Sequence, residues 1–208
     1  GNVESFNLSI PLNKGNGWIF DLGLNSYSNV NYDTKFDSSI SGENYTQTYS
    51  GNGGLNRLTA GFSYIIFKQF TLGAQFNFLF GNIDRTLDIN FTNGSLFDTR
   101  NVTQNKISGI YVNTGLTFHG FGKLFKSKKL NDLAVGLYFS TPATLNSSIS
   151  GTYYRSPGTI DTVEYTEGDI NVPWSFGAGI SNIFNERLTV AADFLIQNWD
   201  NYEFYGKH

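Results

Sequence analysis

Cysteine and methionine are both absent from this chain of 208 residues, and it holds only two histidines and four prolines. Without thiols there is neither a disulfide framework nor a thiolate metal site. The histidines, His119 and His208, lack any spacing that would set them beside a Ser or Asp on one strand face. A base and its nucleophile therefore have nowhere to meet, and the chain does not read as an enzyme. Charge is scarce as well: 15 % of residues, against about a quarter in soluble domains. A net charge of −3 argues against a nucleic-acid partner. No apolar run approaches the roughly 18 residues of a membrane helix, so the chain can cross a bilayer only as a barrel of strands. The missing Met leads to the expectation that the natural start lies upstream and that any leader has been removed.

What is abundant is glycine (23), aromatics (16 %) and a rich supply of Asn, Ser and Thr. They are arranged with period two. In "FTLGAQFNFLFG" (70–81), Phe70, Leu72, Ala74, Phe76, Phe78 and Phe80 alternate with Thr71, Gly73, Gln75 and Asn77. The same alternation runs through "WIFDLGLN", "RLTAGFSYIIF", "GIYVNTGLTF", "LAVGLYFS", "WSFGAGIS" and "LTVAADFLIQ", with a shorter "SFNLSIPL" at the start. Alternation means strands whose two faces meet different surroundings. The expectation is an all-β fold of about eight antiparallel up-and-down strands, with 1–208 a single membrane β-barrel segment and no second domain.

The connections alternate between two kinds. Short or turn-rich ones fall at 13–17, 68–69, 120–132 and 185–187, and long polar ones at 37–54, 92–105 and 154–169. Two unlike rims are what an outer-membrane barrel has. The polar face is also too poor in Lys and Glu for the outside of a soluble barrel, and it suits a narrow hydrated interior. Phe76, Phe78, Leu116 and Phe176 are expected to face lipid; Gln75, Asn77, Asn113 and Ser175 are expected to face the lumen. Basic residues (Lys14, Lys68, Lys123, Lys126, Lys128, Lys129 and Arg187) gather at the short-turn rim, which reads either as solvated turns or as a basic rim for anionic lipid or a periplasmic partner. The acids Asp161, Glu164, Glu167 and Asp169 lack EF-hand spacing, and the glycines of "GNGG" and "GFG" precede no helix. No metal and no cofactor is expected.

Both ends look cut, which suggests an internal part of a larger barrel. At "GNGGLNRLTAGFSYIIFKQFTLGAQFNFLFGNIDRT" (51–86) and "NWDNYEFYG" (198–206), the chain resembles the FadL/OmpP1/TodX-like outer-membrane proteins of Bacteroidetes. The resemblance implies a barrel of about fourteen strands, a lumenal hatch that this sequence does not contain, and passive transport of small hydrophobic molecules. It also implies a break in the wall, for which Pro142 and Pro173 are the candidates; the plainer reading is that both mark strand ends. A transporter needs an apolar inner track, which Ile65, Leu79, Tyr111, Tyr138 and Leu195 could supply. The alternative is a structural or accessory subunit of an outer-membrane protein complex. Expected partners are outer-membrane lipid, a hydrophobic small-molecule ligand, and other outer-membrane or periplasmic subunits.

Overall fold

The computed structural model describes residues 5–13, 17–92, 96–156, 158–184 and 187–200. Ten strand segments build one antiparallel sheet: β1 (Ser5–Asn13), β2 (Trp18–Ile40), β3 (Glu43–Ile66), β4 (Phe70–Phe91), β5 (Thr99–His119), β6 (Ala134–Ser140), β7 (Ala143–Arg155), β8 (Thr159–Val172), β9 (Ser175–Phe184) and β10 (Leu188–Gln197). Segments β6 and β7 follow one another along the same neighbour, β5, and β8 and β9 likewise run along β7 and β6. The result is eight long strands in up-and-down order, curled into a half-barrel, as the alternation predicts. Both β1 and β10 are exposed along their whole length.

The two faces separate as the pattern requires. Phe62, Phe76, Phe78, Leu116 and Phe176 are exposed, whereas Thr59, Asn77, Asn113 and Ser175 are buried. Outward rings pair across strands, with centroids 4.5 Å apart for Trp18 and Tyr64, 4.9 Å for Phe20 and Phe62, and 4.6 Å for Phe70 and Phe118. Such pairs tie neighbouring strands together and fix their register.

Two expectations about the connections need correction. Of the long ones, those at 37–54 and 154–169 are mostly strand, and that at 92–105 is strand from Thr99 onward. Segments β2 and β3 stay in register up to Ile40↔Glu43, and only Ser41 and Gly42, both with positive φ, turn the corner. Segments β4 and β5 pair as far as Ile89↔Thr99, and β7 and β8 as far as Arg155↔Thr159. Residues such as "NYTQTYS" carry no apolar alternation, yet Thr and Tyr fit a pleated surface and the ladder needs only backbone. In the other direction, the connection at 120–132 is more than a turn. It holds a short helix α1 (Phe121–Leu124) and a 3-10 turn η1 (Lys128–Leu130).

A transverse crease crosses the sheet where the apolar belt ends. On β2 the register shifts between Ser26 and Ser28. On β3, Gly53 sits at φ 122, and a Cβ there would run into the carbonyl oxygen of Asn82. On β4, a Cβ at Gly81 would meet the carbonyl oxygen of Gly54, and on β5 one at Gly109 would meet Leu145. On the next two strands the ladder stops at Thr141–Pro142 and Pro173–Trp174. Proline has no N–H to give, so each of these sites loses a ladder donor. The crease divides a lower half with an apolar outer face from a polar upper half.

Candidate functional site

The inner face of the lower half carries a cross-strand polar network. Asn113 Nδ2 donates to Gln75 Oε1 at 3.3 Å, and Tyr138 Oη donates to Asn113 Oδ1 at 3.2 Å. Asn77, fully buried, donates from Nδ2 to the carbonyls of Gln75 (3.2 Å) and Tyr111 (3.4 Å), while its Oδ1 has no partner. Arg57 Nη1 lies 3.4 Å from Tyr111 Oη, and the guanidinium stands 5.9 Å from the ring centre of Tyr27. Beside this network a cavity of about 390 Å³ is lined by Asn7, Asp21, Gln75, Asn113 and Tyr138, among others.

Above the network, at the crease, an apolar cluster of Leu55, Leu79, Ile107, Ala143 and Leu145 closes the inner face, with Tyr111 packed against it. Of the residues expected to line an apolar track, Leu79 and Tyr111 therefore meet here. The other three are elsewhere. Tyr138 is in register with Gly177, which is in register with Leu195, and the pair lines a separate small hollow below. Ile65 is at the short-turn rim, in register with Thr71 and against Gly17. Between the two groups runs the row Gln75, Asn113, Ser140 and Ser175. The five residues form no continuous apolar path, because that amide and hydroxyl row cuts across it. Leu55, Ile107 and Leu145 were missed: the first two lie in or just beyond stretches read as polar loop. An apolar residue two positions from a known inward one on the same strand would have revealed Ile107, given Gly109 and Tyr111.

The short-turn rim is built differently. Phe67 (φ 52) and Lys68 (φ 60) are the first two residues of the three-residue turn (67–69) between β3 and β4, both in the left-handed region that Gly or Asn ordinarily fills. Phe67 is 85 % exposed. Next to it, the Phe118 ring packs on Phe121 (4.7 Å between centroids), which fixes α1 against the barrel, while Leu124 and Phe125 stay exposed. Asn182 Nδ2 reaches the carbonyl of Lys129 at 3.4 Å and holds η1 down. Lys68 follows Phe67 in the chain, Lys123 and Lys126 flank Leu124 and Phe125, and Lys128 and Lys129 lie on η1. Lys14, expected at the same rim, lies outside the described residues.

Among the described residues no group of His and acids is arranged to hold a metal ion. The side chains of Asp161 and Glu164 lie outside that description, as does His208.

A protein-family model described as BamG matches residues 1–206. No curated protein and no solved structure matches the chain. The BamG match overturns the resemblance to FadL/OmpP1/TodX-like proteins, and the implied fourteen strands, hatch and hydrophobic transport lose their support. Phrases in which Phe alternates with Gly, Asn and Gln follow from the physics of any strand set between lipid and a hydrated interior. They carry the fold and not the family.

Proposed function

The chain belongs to the BamG family, and from that premise we propose that it is a non-catalytic accessory subunit of an outer-membrane protein complex. The family is outer-membrane-associated. No described helix is long and apolar enough to cross a membrane; the chain crosses with strands, through the exposed belt of Phe62, Phe76, Phe78 and Leu116. The observation that carries the reading is the short-turn rim. Three residues there other than Gly, Phe67, Lys68 and Lys126, are held in the left-handed region, and Phe67 is displayed to solvent, as are Leu124 and Phe125. Left-handed φ at a Phe and a Lys costs on the order of 1–2 kcal/mol each, so a turn that keeps them serves something other than its own stability. Exposed apolar tips with lysines adjoining them in the chain fit the anchor-and-rim composition of a protein interface.

The test is affinity purification of the full chain from native membranes in mild detergent. Other outer-membrane or periplasmic proteins should co-purify in fixed ratio with the wild type. They should be lost from Phe67→Ser combined with Phe125→Ser, with the heat-modifiable band of the barrel retained. A wild-type chain that purifies alone, or a double variant that keeps every partner, overturns the reading.

A further inference from the structure

On the outer face, directly above the apolar belt, the crease opens a groove of about 1190 Å³ whose lining includes Leu24, Phe80, Lys106, Asn146, Glu167 and Asp169. These residues share one face. Phe80 is in register with Ser108, Ser108 with Asn146, and Asn146 with Asp169. One step higher, Asn82, Lys106, Ser148 and Glu167 form a parallel row. Phe80 stacks on Phe78 of the belt, with ring centroids 5.5 Å apart, so the groove's lower lip is continuous with the wall that faces lipid.

The charges are unusual for such a place. A cation on β5 faces two carboxylates on β8 with β7 between them, so Lys106 and Glu167 stand about 10 Å apart at the backbone, two strand spacings. Among the described residues the ion pair is Arg100 with Asp88, and none joins Lys106 to an acid. The groove thus presents one ammonium and, across a strip of Ser and Asn, a pair of carboxylates. A simple anion would meet Glu167 and Asp169, and a simple cation would meet Lys106. A headgroup carrying both signs, with its acyl chains descending over Phe80 and Phe78, satisfies every part.

We propose that this groove binds the headgroup of a zwitterionic lipid, its phosphate toward Lys106 and its ammonium toward Glu167 and Asp169. The site is independent of the short-turn rim, at the opposite border of the apolar belt, so it stands or falls apart from the accessory-subunit reading. Lipid is favoured over a peptide because the polar rows end on the apolar belt along one edge, the division an amphiphile has along its own length.

The experiment is native mass spectrometry of the detergent-purified full chain, titrated with phosphatidylethanolamine, phosphatidylglycerol or free phosphoethanolamine. The proposal expects phosphatidylethanolamine to be retained preferentially. It expects Lys106→Gln, and separately Glu167→Gln with Asp169→Asn, to weaken that retention by roughly fivefold, the size of one partly exposed charge contact. Each variant is first checked for the heat-modifiable band, and a second pair at the same positions (Lys106→Ser, Glu167→Ser) replaces any that fails. Equal retention of the two lipids overturns the proposal, as does retention that ignores all these substitutions. Free phosphoethanolamine binding as well as the lipid would make this a soluble-headgroup site and not a membrane one. A photo-crosslinker at Asn146 that captures polypeptide in place of lipid would overturn it too.

Discussion

Pro142 and Pro173 face each other across adjacent strands. The pair Ser140↔Ser175 closes one ladder and Ala143↔Val172 opens the next, with two residues between them on each strand, so the register continues unbroken through the prolines. On the other side, four residues of β5 (109–112) oppose five (141–145) between Asn113↔Ser140 and Ser108↔Asn146, the signature of a bulge. Pairing does not lapse altogether: Thr141 N–H donates to the Val112 carbonyl at 2.9 Å, and Val112 N–H to Thr141 Oγ1 at 3.1 Å. The prolines interrupt strands that carry on beyond them, and are not strand ends. Replacing both with Val restores two donors. Hydrogen–deuterium exchange at Thr141 and Trp174 should then slow by at least about tenfold, roughly one ladder bond. Unchanged exchange would place the cause of the interruption in the bulge instead.

The glycines of the crease should respond by position. Gly81→Ala and Gly53→Ala force a Cβ into a neighbouring carbonyl oxygen, and each should cost about 1–3 kcal/mol. Gly136→Ala, whose Cβ comes no nearer than 4.0 Å to the Leu116 carbonyl oxygen, should be close to neutral. Urea titration of the folded band separates the outcomes, and three equal costs would remove the steric account.

Facing is tested by arginine. Phe78→Arg, on the exposed apolar belt, should cost about 2–4 kcal/mol near mid-bilayer, and Gln75→Arg, beside the inner cavity, should cost clearly less. Equal loss of folded yield in vesicles would contradict the assignment of faces.

Asn77 offers a cleaner test of burial. Its Oδ1 is enclosed without a partner, so exchanging the amide for an apolar side chain of similar volume removes an unmet acceptor. Asn77→Leu should be neutral or stabilising by about 1 kcal/mol, and Asn77→Asp destabilising by more than that. Thermal loss of the compact band in electrophoresis reads both.

The turn at Phe67 and Lys68 should trade stability against partnership. Phe67→Asn with Lys68→Gly supplies residues suited to the left-handed pair and should raise stability by about 1–2 kcal/mol. It should also lower recovery of co-purifying subunits. Stability gained with recovery intact would mean that Phe67 is not an anchor.

How much of this was legible depends on what each residue had to signal. Phe76 against Asn77 shows its facing at a glance, because lipid and lumen demand opposite chemistry at adjacent positions. The depth of burial at Asn77 did not show, since enclosure comes from Thr59 and Tyr111 on neighbouring strands, both in register with it. The upper strands were invisible for another reason. At residues 46–48 neither face of β3 is aliphatic, so period two fades there although the ladder persists. Lys106, Ser148 and Glu167 come from three segments, and only the register sets them in one row. The family could not be read at all from strand alternation, which every membrane barrel shares.

The long hairpins above the crease have a mechanical meaning. From Ser28 to Ile40 the ladder is unbroken, and at strand rise its tip stands roughly 40 Å from the fold line. A rocking of roughly ten degrees about that line displaces the tip by roughly 7 Å, more than one strand spacing. The crease therefore sets the reach of the Ser41–Gly42 corner: any change of angle at the fold line would be multiplied along the hairpin above it.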